Sequence, residues 1–263
     1  VELAVEAGLP SGVLNVVHGD ATAADAILEH PDVSGVSFVG SSAVARLVYA
    51  KAGQTGKRVQ ALGGAKNHMV VLPDADLNLA TDAAISSVFG SAGQRCLANS
   101  VLVGVGEAYD RVKVQLLEGA NSLRVGYGLD EDTFMGPVIS RRHRDRVIDL
   151  IDQGEREGAD VALDGRGFQV DGYPEGHWVG PTVLEGVEPG MSVGQEEVFG
   201  PVLGLTRAES VEDAIVLMHE VAYGNATSIF TRSGRAAREF RYHAGISMIG
   251  VNIGVAAPMA CFP

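Results

Sequence analysis

Short runs of Val, Ile and Leu alternate with longer amphipathic stretches along nearly the whole chain, and this alternation constrains the fold more than any other feature. Apolar runs separated by helix-length segments are the pattern of parallel strands joined by crossover helices. VLNVVHG (13–19) is expected as a buried strand, DATAADAILEHP (20–31) as a helix with Asp20 at its N-cap, and VSGVSFVG (33–40) as a second strand. SSAVARLVYAKAGQTG (41–56) then reads as a helix opened by Ser41 or Ser42, and KRVQALGG (57–64) as a third strand. A strand that ends in Gly40 and feeds a Ser-capped helix presents free N–H groups and a positive dipole end, which suits the phosphates of a dinucleotide. Many such turns carry Gly and Ser for the turn alone.

The pattern begins again after Lys66. HMVVLPDADL opens a second α/β lobe, followed by a helix over about 76–90, a strand over 99–105 and a helix over 107–123. The charged stretch 140–161 is expected as one amphipathic helix with an apolar stripe through Val147, Leu150 and Ile151, and its arginines as a solvated face. Strands at GPTVLEGV, PVLGLTRA, ATSIFTRS and ISMIGVNI, with helices over VEDAIVLMHE and RAAREFRYHA, complete the lobe.

Composition excludes several functions. With 20 Lys and Arg against 33 Asp and Glu the net charge is −13, the wrong sign for a protein that neutralises phosphates by charge, so no nucleic acid is expected as a partner. No apolar run approaches the ~18 residues of a spanning helix and no signal pattern opens the chain, so no membrane is expected and a cytoplasmic setting is. Cys96 and Cys261 lie far apart without paired spacing, and the seven histidines show no ligand spacing, so neither a disulfide framework nor a metal is expected. GVGEAY (104–109) fails the dinucleotide fingerprint at Tyr109, and His219-Glu220 fails the zinc-protease pattern at Tyr223. The chain opens without Met in what reads as the end of a helix and stops at MACFP, so a piece of a longer protein is expected.

Cys96 lies in FGSAGQRCLANS, among small and polar residues beside Arg95. Two readings are open at this point: an inert core thiol, or a nucleophile whose thiolate the neighbouring cation favours.

The order of ALGGAKNH (61–68), GQRC (93–96), MGPVIS (135–140), GPTV (180–183), EEVFGPV (196–202), YGNATSIFTRSG (223–234) and GVNIGVAAPMACFP (250–263) resembles the aldehyde dehydrogenase superfamily. GAKNH and YGNATSIFTRSG point to its CoA-acylating methylmalonate-semialdehyde branch. The resemblance implies an α/β fold of that type: part of a Rossmann-type NAD-binding domain over 1–64, an α/β catalytic domain over 65–250, and over 251–263 the start of a segment returning toward the cofactor and oligomerisation region. It also implies a homotetramer for the full-length protein, and valine, pyrimidine or inositol breakdown as the setting. Cys261 stands where the branch more often has an aromatic, and is expected to be a packing substitution.

Residue by residue, the resemblance makes Cys96 the nucleophile that forms a thiohemiacetal and then a thioester, with its N–H as half of an oxyanion hole. Glu197 matches the residue that holds the nicotinamide ribose and Phe199 the one packing beside it, while Gly40 and Ser41 match the turn at the pyrophosphate and Gly19 a glycine beside the cofactor. Hydrolytic relatives carry E-L-G-G-K, whose Glu activates water; counting back from Lys66, that position is Leu62, a cofactor-side residue here that takes no proton. Coenzyme A is therefore expected as the acyl acceptor, although Glu196, Glu197 or Gln94 could stand in as base. Arg95 is expected to pair with the carboxylate of a malonate or methylmalonate semialdehyde, or else to lower the Cys96 pKa or face solvent. The alternatives are a hydrolytic aldehyde dehydrogenase releasing a free acid, and a non-catalytic relative.

Overall fold

The computed structural model describes residues 1–255, and the chain divides into two compact units, the first being Val1–Gly64 and the second beginning at Ala65. The predicted return segment and Cys261 lie mostly or wholly outside the described residues.

In the first unit, α1 (Glu2–Glu6) runs out toward Gly8 at φ +100°, where only glycine is unstrained. Helix α2 (Ala21–Glu29) is capped by the Asp20 carboxylate, which accepts from the Thr22 N–H at 2.9 Å. Strand β1 (Gly35–Val39) leads into α3 (Ser42–Gln54), whose N-cap is Ser41, and β2 (Arg58–Leu62) returns parallel to β1 with Val39 opposite Leu62. Alternation places Val36, Phe38 and Val59 against Leu28, Val48 and Ala52, the small core of this unit.

The strand expected over 13–19 does not form. Val13, Val16 and Val17 are 66, 59 and 70% exposed. An apolar run becomes a strand only through ladder hydrogen bonds, and among the described residues β1 pairs with β2 alone. The Asn15 amide instead donates to the Gly12 carbonyl at 2.9 Å, closing a local turn.

The second unit is built on a sheet of seven strands among the described residues. In chain order these are β3 (Asn67–Val71), β4 (Asn99–Val105), β5 (Asp160–Leu163), β6 (Thr182–Glu185), β7 (Val202–Ala208), β8 (Ala226–Phe230) and β9 (Met248–Val251), arranged β5-β6-β7-β4-β3-β8-β9. All pairings are parallel except β5 with β6. Both faces of the central strands are covered, which is why they read as continuous apolar runs. Met69, Val71 and Leu102 enter one core with α4 (Leu77–Phe89), α5 (Ala108–Asn121) and α6 (Arg141–Arg156). Val70, Val101 and Val103 enter the other, with α8 (Val211–His219) and α9 (Gly234–His243). A short helix α7 (Ser192–Gln195) precedes the EEVFGP segment.

The stripe of α6 is buried at Val147, Leu150 and Ile151 as its spacing predicts. The helix is shorter than expected: Gly158, at φ +112°, lies just past its end, and the residues that follow form β5. No described helix is long and apolar enough to cross a membrane.

Candidate active site

Cys96 sits at the carboxyl end of an unusual turn. After α4, Ser91, Ala92 and Gly93 are all left-handed, with φ of +54°, +52° and +69°. Two consecutive non-glycine residues in that region are strained and persist only where surrounding contacts over-determine them. Here Gln94 supplies such contacts: its amide nitrogen donates to the Ser91 carbonyl and its amide oxygen accepts from the Ile139 N–H at 2.9 Å. The Ala98 N–H then closes onto the Arg95 carbonyl at 3.0 Å, and Cys96 is left exposed within this turn.

The carbonyl oxygen of Cys96 accepts from two side-chain amides, Asn67 Nδ2 at 2.9 Å and Asn225 Nδ2 at 3.0 Å. Asn67 reaches the turn because β3 shifts register against β4 between Asn67 and His68, an irregularity that re-aims a side chain. It is fully used, since it also donates to the Ala98 carbonyl at 2.9 Å and accepts from the Ala226 N–H at 2.9 Å. The Cys96 N–H has no acceptor among the described residues and is free for a ligand oxygen.

Arg95 is anchored to the protein through one of its two terminal nitrogens. Its Nη2 donates to the Ser86 and Ser87 carbonyls, the latter at 2.8 Å, at the end of α4. The Ser86 carbonyl already accepts from the Gly90 N–H and the Ser87 carbonyl lies in the last turn, so the cation sits at the negative end of the helix and caps it. Its Nε is buried without a partner, and burial lowers the guanidinium pKa. Nη1 makes no hydrogen bond among the described residues. Arg95 also lines a cavity of about 20 Å³ together with Asn67, Asn99, Glu197 and Phe199, room for a single water.

The EEVFG segment is held against this turn from three sides. Arg146 of α6 donates to the Val198 carbonyl at 3.0 Å and the Glu197 carbonyl at 3.1 Å, and pairs with the Glu196 carboxylate at 3.3 Å. The α6 arginines are thus not all a solvated face. His143 Nε2 donates to the Phe199 carbonyl at 2.7 Å, and Phe199 itself is left-handed at φ +55°. Lys66, fully buried, donates to the Val193 carbonyl at 2.6 Å and the Glu196 carbonyl at 3.0 Å. Desolvation brings its pKa down to about 8, partly offset by the Glu197 and Glu196 charges. Burial likewise pushes the Glu197 carboxyl above the usual carboxylate range, against the opposing pull of the Ala65 N–H, Lys66 and Arg146. Sequence reasoning picked out Cys96, Arg95, Glu197 and Phe199, which the structure gathers here. It missed Asn67, Asn225, His143 and Arg146 as parts of the site; only the residence of the two asparagines in GAKNH and YGNATS hinted at them.

In the first unit, the Gly40 N–H donates to the Leu62 carbonyl at 3.1 Å, so the ends of β1 and β2 lie side by side where α3 begins. A Cβ on Gly40 would stand 2.6 Å from the Phe38 ring, one on Gly63 2.6 Å from Ser42 Oγ, and one on Gly19 2.4 Å from the Ala23 Cβ. The Ser41 hydroxyl accepts from the Val44 N–H at 3.5 Å. A cleft of about 300 Å³ at this end is lined by Ser42, Ala45, Arg46, Tyr49, Ala61 and Gly63. The carboxyl ends of parallel strands beside a helix N-terminus are where such folds take nucleotides. Leu62 is 49% exposed at the end of β2.

Residues 1–263 match the aldehyde dehydrogenase family. The chain is 48% identical over 265 residues to malonate-semialdehyde dehydrogenase 2 of Geobacillus kaustophilus, covering 100% of this chain and 54% of that protein. The crystal structure of methylmalonate-semialdehyde dehydrogenase from Oceanimonas doudoroffii superposes with a TM-score of 0.95 at 45% identity, covering 98% of this chain and 53% of the other. Betaine aldehyde dehydrogenase from Staphylococcus aureus in complex with NAD+ matches with a TM-score of 0.91 at 30% identity, covering 96% and 50%. The chain therefore spans about half the length of the relatives it matches.

Proposed function

The chain belongs to the aldehyde dehydrogenase family, and on that premise we propose that the protein oxidises malonate or methylmalonate semialdehyde to an acyl-CoA, with NAD as cofactor and coenzyme A as acyl acceptor. The observation that carries this reading is the exposed Cys96, held by its carbonyl while its own N–H stays free.

The thiolate of Cys96 attacks the aldehyde carbon, and the oxygen that gains charge is met by the Cys96 N–H. NAD suits the first unit because the Ser41-capped start of α3 offers N–H groups to phosphate beside the cleft lined by Ser42 and Gly63. When bound, NAD supplies the acceptor for the hydride leaving the thiohemiacetal carbon. Gly19, Gly40 and Ser41 are proposed to hold it, with Glu197 on the ribose and Phe199 beside it. Arg95 is the cation we assign to the distal carboxylate, through Nη1.

The Cys96 thioester then needs a nucleophile. Leu62 cannot activate water, Gln94 is engaged at both ends, Glu196 is paired with Arg146, and Glu197 is the residue assigned above to the ribose. A thiol needs less help than water, and transfer of the acyl group to coenzyme A regenerates Cys96, with CO2 lost from the substrate's distal carboxylate. A homotetrameric assembly is part of the same proposal. The test is NADH formation by the complete protein with methylmalonate semialdehyde, with and without coenzyme A, the product identified by mass. Turnover that requires coenzyme A and yields an acyl-CoA is expected; turnover without it, giving a free acid, would overturn the acyl-CoA assignment.

A further inference from the structure

We propose that Asn225 is a positioning residue for Cys96, fixing the backbone of the nucleophile through its carbonyl. The role concerns the acylation step of the reaction proposed above and rests on that reading for its kinetic test alone.

The argument begins with the two peptide planes that flank Cys96. The plane before it carries the Cys96 N–H and the Arg95 carbonyl, and that carbonyl is fixed by the Ala98 N–H at 3.0 Å. The plane after it carries the Cys96 carbonyl, fixed by Asn67 and Asn225 at 2.9 and 3.0 Å. With both planes held, the φ and ψ of Cys96 are set, and so is the direction of its Cα–Cβ bond relative to its N–H, the axis about which Sγ turns. A nucleophile and an oxyanion donor on one residue work together only if that axis is rightly aimed, and small misplacements of reacting groups are costly.

Asn67 and Asn225 are not equivalent in this. Asn67 is buried and also ties together β3, the turn and β8, so its loss would disturb the sheet. Among the described residues, the only side-chain hydrogen bond that Asn225 donates is the one to Cys96. Its backbone is pinned independently: its carbonyl accepts from the Met248 N–H at 3.1 Å and from the Ser247 hydroxyl at 2.9 Å. Asn225 also adopts φ +106°, a conformation that side chains rarely take, so a strained residue on a β8–β9 anchor is spent on reaching the carbonyl of the exposed cysteine.

Two substitutions separate positioning from folding. Asn225→Gly accepts the positive φ and removes only the amide; Asn225→Asp keeps the shape and replaces the donor with an oxygen that repels the Cys96 carbonyl when ionised. In the complete protein, Asn225→Gly should slow the single-turnover burst of NADH by ~10-fold or more, as expected for a loosened reacting group, with the melting temperature and the KM for NAD unchanged. Asn225→Asp should be slower still at neutral pH, and its rate relative to the unaltered protein should recover as pH falls and the carboxyl becomes a donor. A purely structural role would not produce that pH-dependent recovery. Hydrogen exchange at the Ala98 N–H, which needs no substrate, should accelerate in both variants. Unchanged exchange at Ala98 together with an unchanged burst would overturn the proposal. Should the unaltered protein fail to oxidise the semialdehyde, the exchange measurement still decides the role of Asn225, while the substrate assignment alone falls.

Discussion

Gly93 lies so close to Gly200 that a Cβ on Gly93 would stand 2.1 Å from the Gly200 carbonyl oxygen. The strained turn before Cys96 and the EVFGP segment therefore meet backbone to backbone, and the left-handed φ of Gly93 compounds the requirement for glycine. Gly93→Ala must both take a left-handed conformation and push the two segments apart. Together these should cost about 2–4 kcal/mol, read by denaturant titration, with Cys96 alkylation changed in the folded fraction. A variant as stable as the parent would show that the two segments are less tightly apposed than the geometry indicates.

Arg146 bridges three consecutive residues of the EEVFG segment, Glu196, Glu197 and Val198. A planar guanidinium reaches several acceptors at once, which an ammonium on a flexible stem does not. Arg146→Met retains the stem and removes every donor, leaving the half-buried Glu197 and the left-handed Phe199 with fewer restraints. The expected outcome is an NAD dissociation constant raised ~10-fold in the complete protein, the equivalent of about one charge-assisted hydrogen bond, with Arg146→Lys failing to restore it. Titration by calorimetry reads this directly, and unaltered affinity would separate the segment's conformation from cofactor binding.

Much of this architecture was legible in the chain because it rests on local patterns. The stripe at Val147, Leu150 and Ile151, the caps at Asp20 and Ser41 and the run that became β4 each depend on residues within a few positions of one another. What was not legible depends on distant partners. Asn67 and Asn225 meet the Cys96 carbonyl from 29 and 129 positions away, and no spacing rule links an isolated asparagine to a turn in another part of the sequence. Arg146 was indistinguishable from the exposed arginines around it for the same reason. The opposite error occurred at 13–19, where an apolar run had the composition of a strand without a ladder partner to make it one.

His68 gives the stability a pH dependence. It is buried, and desolvation followed by the Lys66 charge lowers its pKa from 6.5 to about 4. The folded state therefore keeps the ring neutral where the unfolded chain would protonate it, so the unfolded state binds the extra proton between those values. Stability from this group is complete above pH 6.5 and is lost as pH falls through about 4, amounting to about 3 kcal/mol. Urea titrations at intervals from pH 7 to 4 should show the decline, and His68→Gln should flatten it within that window. An equal slope in the variant would assign the acid sensitivity to other groups.

Leu62 provides a gain-of-function test of the proposed transfer to coenzyme A. The side chain is 49% exposed at the carboxyl end of β2, so a carboxylate placed there keeps much of its hydration and does not burden the small core of Leu28, Val48 and Ala52. Leu62→Glu restores the acid of E-L-G-G-K at the position four before Lys66. If the lack of a base is what commits the Cys96 thioester to a thiol acceptor, the variant should form NADH continuously without coenzyme A and release a free acid. General-base assistance of the usual size predicts a CoA-independent rate raised ~10²-fold over the parent. A variant that still stops after one equivalent of NADH per Cys96 would mean that water is excluded from the thioester by something other than a missing base, and attention would shift to the cavity walls formed by Arg95, Glu197 and Phe199.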